Sequence, residues 1–175
     1  MYRIAAPSLL FVLAACSAPS PDKLADRAAE QAAAAAVDAA SDGRVRFDPA
    51  EGTLQVEDDD TRMQSGGPAG MARPDWWPAD VDLPQAHVIR QVVRSGSDQL
   101  LVVTVPQAGS AIHGQIEQGM HGHGWTTASA SQAADGAGMA MFHKPGREAT
   151  VMVMPARRAG DATTLTYRLR QAGTR

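Results

Sequence analysis

The 175-residue chain has a single cysteine, Cys16. One cysteine excludes an intrachain disulfide framework and a multi-thiolate zinc site. Aromatic residues are 5 % of the chain, so the side chains that build a dense core are few. Lys+Arg number 16 against 19 Asp+Glu, and no stretch gathers basic residues into a stripe. That mild acidic balance excludes nucleic acid as a partner. No apolar run reaches the roughly 18 residues that a membrane-crossing helix needs. There is no Gly-x-Ser-x-Gly elbow, and Ser110 and His113, three apart, form a spacing common by chance. No catalytic residue and no resident cofactor are therefore assigned, and the chain is expected not to be an enzyme. Asp58-Asp59-Asp60 lacks the central glycine and closing glutamate of an EF-hand loop, and is expected to be a solvated turn.

The chain opens with one cation, Arg3, and an apolar run from Ile4 to Leu13 broken only by Pro7 and Ser8. Ten residues make about 15 Å of helix, half a bilayer core, which fits a signal-peptide apolar region and not a span. Leu13-Ala14-Ala15-Cys16 comes next. This motif resembles the lipobox of bacterial lipoproteins. The resemblance implies that residues 1–15 are a lipoprotein signal peptide, cleaved before Cys16, and that Cys16 carries acyl chains on its sulfur and its new amine. The lipid bilayer is then a partner through Cys16. The alternative is an ordinary signal peptide cut at Ala15 or Ala18. Ser17 stands where an aspartate would favour inner-membrane retention in the family's sorting rule. The implied location is the cell envelope, lipid-anchored in the outer membrane and facing the periplasm.

Residues 16–21 form a short Ser/Pro tether, with Ser20 as a helix cap and Pro21 at the first helical position. Residues 22–40 are alanine-rich and predict a helix, with Leu24 and Val37 its only large apolar residues. Such a helix forms easily and buries little. It reads as a stalk of roughly 30 Å, or as a helix lying loosely on the neighbouring hairpin. Residues 41–63 predict a β-hairpin unit: 44–47 and 53–57 alternate with period two around a Pro/Gly turn, and a third short strand falls near 61–63. Residues 64–84 read as a Gly/Pro/Trp linker. Its prolines keep it extended, and at least one of Trp76 and Trp77 is expected to cover the core, an exposed Trp platform being the alternative.

Residues 85–171 are expected to form the main domain. Strands are predicted at 87–93, 100–105, 125–130, 139–143, 149–154 and 163–170, joined by Gly-containing turns. Between the second and third, Ile112, Ile116 and Met120 recur on one helical stripe, and Gly124 stops the helix. The fold class expected is α+β: an N-terminal helix and small hairpin unit, then an antiparallel sheet with one covering helix in the order β-β-α-β-β-β-β. Pro78, Asp80, Val81, Leu83, Pro84, Gly124 and Trp125 carry a resemblance to small periplasm-facing α+β lipoproteins of uncharacterised role. Asp82 departs from it, where that group often has proline. The helix-on-sheet layout is also similar to the helix-grip domains of an outer-membrane-assembly lipoprotein, at the level of fold.

The turn at Pro145-Gly146 sets a testable register. With His143 opposite Glu148, residue 139 faces 152 and 141 faces 150. Met139, Met141, His143, Met152 and Met154 then share one face. Ala140, Phe142, Ala149, Val151 and Val153 share the other, under the helix. This pattern has two readings. Met139, Met141, Met152 and Met154 form an adaptable apolar surface for another envelope protein, which makes the chain a structural or protein-interaction module. Alternatively Met139, Met141, His143 and Met152 hold a soft metal, since thioethers with imidazole suit Cu(I). His121 and His123 are expected at the helix end, away from the methionines.

Overall fold

The computed structural model describes residues 21–158 and 161–171, with side chains from residue 26 onward. The expected signal peptide, Cys16 and the expected tether up to residue 20 lie outside the described residues. The protein is mixed α+β and mostly sheet: two helices and one nine-stranded antiparallel sheet among the described residues.

Helix α1, Pro21–Ala40, is exposed along most of its length, Val37 included. Alanine favours the helical backbone but offers no stripe to bury. Its end is fastened to the sheet. Gly43, at φ +75°, donates to the Asp38 carbonyl at 2.8 Å, and the Ser41 hydroxyl accepts from the Val45 amide at 3.0 Å while reaching the Val37 carbonyl at 2.8 Å. Only glycine adopts that φ freely.

Nine strands follow: β1 (Val45–Asp48), β2 (Thr53–Asp58), β3 (Thr61–Ser65), β4 (Val88–Ser95), β5 (Asp98–Val105), then after helix α2 (Gly109–Gly122), β6 (Thr126–Gln132), β7 (Gly138–Lys144), β8 (Arg147–Met154) and β9 (Thr163–Gln171). Their spatial order is β1-β2-β3-β4-β5-β9-β8-β7-β6. From β6 onward each strand turns back beside the last until β9 pairs with β5. The connection from β5 must therefore pass over β9, β8 and β7 to reach the edge strand β6. Helix α2 makes that passage across one face of the sheet, with Ile112, Ile116 and Met120 buried.

Under α2 lie Ala140, Phe142, Ala149, Val151, Val153, Leu165, Tyr167 and Leu169, joined by Ile89, Val92, Leu101, Val103 and Val105 from β4 and β5. Period-two alternation puts these residues on one face. The dry set expected from β7, β8 and β9 is the one buried.

Two expectations about the N-terminal half need correction. The segment 41–63 is not a separate hairpin unit. Strand β3 pairs with β4 over Thr61↔Ser95 to Ser65↔Gln91, so β1 to β3 extend the main sheet. Strand β3 is five residues long with a single large apolar side chain, Met63, too weak a signal to announce its partner. Nor are residues 64–84 a free linker. Gly66 donates to the Arg90 carbonyl at 2.8 Å and Met71 to the Ile89 carbonyl at 3.1 Å. Arg90 sits at a bulge of β4, and its guanidinium donates to the Pro68 carbonyl at 2.8 Å. The chain then runs as a strap over the core. Trp77, Val81 and Pro84 are buried along it, and Trp76 packs partly buried beside them. The Gly/Pro content that reads as a linker here supplies close backbone approach: a Cβ on Gly70 would meet Val88 and the Ile89 carbonyl.

Candidate functional site

The register expected at the Pro145-Gly146 turn is the one found: Met139↔Met152, Met141↔Thr150 and His143↔Glu148. Met139, Met141, Met152 and Met154 are 38–48 % exposed on the face away from α2. They do not stand alone there. One row of register partners runs Val45, Val56, Met63, Val93, Leu100, Arg168, Thr150, Met141 and Ser129. Its neighbour runs Phe47, Leu54, Ser65, Gln91, Val102, Thr166, Met152, Met139 and Ser131. Nine strands at about 4.8 Å make a face some 40 Å wide. Every side chain in the two rows is exposed or half-buried. Two apolar patches result, Val45 to Val102 and Met139 to Met154, separated by Thr166 and Arg168 of β9. The first patch is not apparent from sequence. Its alternation is legible strand by strand, but only the β3–β4 pairing aligns it with the methionines.

His143 shares the methionine face but lies two residues beyond Met141 and four beyond Met139, roughly 7 Å and 13 Å along the strand. Of the other four histidines, His123 caps the end of α2 and three are engaged elsewhere. The His121 ring nitrogen meets the Thr127 hydroxyl at 2.8 Å, and the ring stands edge-on to Phe142, on the α2 side. His113 bonds the Gly136 carbonyl at 3.1 Å, and His87 the Pro84 carbonyl at 2.7 Å. No group of three or more His, Cys, Asp or Glu side chains arranged to hold a metal occurs among the described residues.

On the α2 side, at the end of the sheet that carries the β7–β8 turn, a charged cluster is built around Asp80. Its carboxylate accepts from Lys144 Nζ at 2.6 Å and from the Arg147 guanidinium. The Trp125 indole Nε1 donates to the Asp80 carbonyl at 2.7 Å, and Lys144 also donates to the His123 carbonyl at 2.9 Å. Arg147 lies over the Trp125 ring at 4.9 Å from its centroid, a cation–π arrangement. The strap, the end of α2 and the β7–β8 turn thus meet at one carboxylate. Partial burial alone would raise the Asp80 pKa, but the hydrogen bonds and charges of Arg147 and Lys144 outweigh it and hold the carboxyl below its usual value. In sequence, Asp80 and Trp125 stand out only as resemblance positions. Lys144 and Arg147 look like turn residues there, and nothing in their spacing points to a carboxylate 64 positions before Lys144.

Asp80→Asn is expected to lower stability by about 1–3 kcal/mol at neutral pH, since two cations lose their charged acceptor. The folded-state pKa is depressed, so this contribution is full above the unfolded-state value near 3.8 and is lost as pH falls through the lower folded-state value. Urea unfolding across pH 2–7 checks this: the wild-type minus variant difference should shrink only on the acid side.

The chain is thus, by fold, a mixed α+β protein with a sheet face left uncovered by the described residues on one side and a basic, tryptophan-backed cluster on the other. Comparison with protein-family models, curated proteins and solved structures finds no match to this chain.

Proposed function

We propose that this is a membrane-anchored envelope lipoprotein, held through acylated Cys16 in the outer membrane and facing the periplasm, that works as a non-catalytic structural or protein-interaction module. The observation that carries the reading is the uncovered sheet face with its four exposed methionines. In the β-β-α-β-β-β-β unit one helix closes one face and leaves the other to a partner. Methionine side chains are flexible and polarizable, suited to a surface that adapts to another protein. The partner in this reading is another envelope protein. The lipobox resemblance supports the location, and α1 provides about 30 Å of spacing between anchor and sheet.

The test uses a photoreactive residue placed at Met141 or at the exposed Gln118 on α2, in intact cells. A discrete crosslinked species should form from position 141 and not from 118. The pair of changes Met139→Ser and Met152→Ser should remove it. Equal labelling from both positions would sink the reading.

A second reading rests on the direct opposition of Met139 and Met152, with Met141 two residues along the same face. Three thioethers so placed suit a soft cation such as Cu(I), and His143 would join them only from the Met141 side. Titration with Cu(I) against a competing chelator separates the two readings. Affinity unchanged by Met152→Ser rejects the metal.

A further inference from the structure

The two edges of the sheet are finished differently. Strand β1 is four residues long and carries Arg46 and Asp48, and the end of α1 lies against it, with Asp38 3.8 Å from the Arg46 guanidinium. Short length and charge are the usual protection of an edge. Strand β6 is seven residues long, Thr-Thr-Ala-Ser-Ala-Ser-Gln, with no charge and no proline, and all but Thr127 are exposed. It pairs with β7 alone, and no backbone group of Thr126–Gln132 bonds outward to another segment among the described residues. A bulge between Thr127 and Ser129 leaves residues 129–132 as its regular stretch. Alternate N–H and C=O groups there face outward, a template for one more strand.

A cavity of about 150 Å³ lies at that stretch, lined by His113 and Glu117 from α2, Ala130, Ser131 and Gln132 from β6, and Ala140 from β7. Ala130 and Ala140 are register partners on the α2 side, in the row that continues as Val151 and Tyr167. Two alanines make a floor with no long side chain standing on it. His113 is already engaged by the Gly136 carbonyl and packs on the Gly138 backbone. Glu117 is not so engaged. Its half-buried side chain accepts from the Thr127 hydroxyl at 3.2 Å and enters no ion pair among the described residues. From Gly109 to Gln132 it is the only Asp, Glu, Lys or Arg. Asp135, at the β6–β7 turn, belongs to a separate groove that also holds Arg157 and Arg158.

The charge of the cavity narrows the occupant. On an added strand, the side chain opposite Ala130 stands about 5 Å from it on the same face. From there it crosses the alanine floor towards Glu117. A lysine suits that path, since its stem lies along apolar surface while its ammonium reaches a carboxylate. An acidic side chain there meets Glu117 as a like charge. The β6 strand of a second copy brings no cation at all, only Thr, Ala, Ser and Gln.

We propose that β6 is a strand-addition site for an extended, lysine-bearing segment of another protein, with the lysine over Ala130 and against Glu117. Backbone hydrogen bonds to residues 129–132 supply affinity, and the cavity supplies selectivity. This surface is the edge of the sheet and its α2 side. The inference therefore stands or falls separately from docking on the methionine face.

The test titrates the isotope-labelled full-length chain in detergent with the end-blocked peptide Ser-Thr-Val-Lys-Val-Thr-Ser and with its twin that has Glu in place of Lys. Amide resonances of residues 129–132 should move saturably with the lysine peptide, and their exchange with solvent should slow. The glutamate peptide should bind roughly ten-fold more weakly. Glu117→Gln keeps an acceptor for the Thr127 hydroxyl and should erase that preference without moving the melting temperature. Ala130→Arg, at an exposed position, sets the chain's own cation over Glu117 and should weaken the lysine peptide roughly ten-fold. Absence of saturation, equal affinity for the two peptides, a preference that survives Glu117→Gln, indifference to Ala130→Arg, or shifts confined to the methionine face would each overturn the assignment. So would protection of residues 129–132 that grows with protein concentration and needs no peptide, since the occupant would then be a second copy.

Discussion

Trp77→Ala is expected to cost about 3–5 kcal/mol of stability, the largest loss from any single alanine change in the strap. Trp77 is only 3 % exposed and stands edge-on to Tyr167, with ring centroids 6.3 Å apart and an interplanar angle of 89°. Tyr167 lies at the centre of the core beneath it, and burial, reinforced by the Asp82 charge, pushes its hydroxyl pKa well above the usual value. The strap cannot close over the space left by an indole. Its path is fixed on both sides of Trp77, by the Trp77 amide on the Pro74 carbonyl at 3.0 Å and by Arg73 on the Pro78 and Val81 carbonyls. A cavity therefore remains, and its lining loses contacts outright. For a chain of this size the melting temperature should fall by about 10 °C. Trp76→Ala is the control. Trp76 is half-buried at the rim, and its loss should cost about 1 kcal/mol. Equal effects from the two changes would mean that the strap is an ornament of the surface and not the second wall of the core.

Cys16→Ser is expected to abolish membrane attachment or to stall processing at the signal peptide. If Cys16 is acylated as proposed, each buried CH₂ contributes about 0.8 kcal/mol, and two or more chains make the anchoring stable. No described helix is long and apolar enough to cross a membrane. Fractionation of cells that express each form, with a high-salt wash, gives the answer. A serine variant that stays in the membrane fraction would strip Cys16 of its anchoring role.

How much of the fold is legible in the sequence depends on which interactions are local. The β7–β8 register is readable because a turn of two residues at Pro145-Gly146 leaves one pairing that buries Phe142 and Val151 together. The stripe of Ile112, Ile116 and Met120 is readable because helical periodicity needs no partner to be seen. The joining of β3 to β4 is not. The strands are separated by the whole of the strap, and β3 offers one methionine to mark its inner or outer side. The strap misleads for a related reason: Gly and Pro report that a segment is irregular, not whether it is packed. The methionine face is found from alternation alone. The Asp80 cluster escapes notice because Asp80, Trp125, Lys144 and Arg147 come from the strap, the end of α2 and the β7–β8 turn and look, one by one, like ordinary turn and loop residues.

The end-to-end order of the sheet also decides how the protein responds to tension. A pull that enters from the N-terminal side reaches β1 first, through α1 and the Ser41 fastening. Strand β1 is four residues long and pairs only with β2, so its ladder is loaded like a zipper, one bond pair at a time. The β8–β9 ladder, eight register pairs long in the middle of the sheet, is loaded last. The short N-terminal strands are then the first part of the sheet to give way, while the strap, α2 and both faces of the central sheet stay in place.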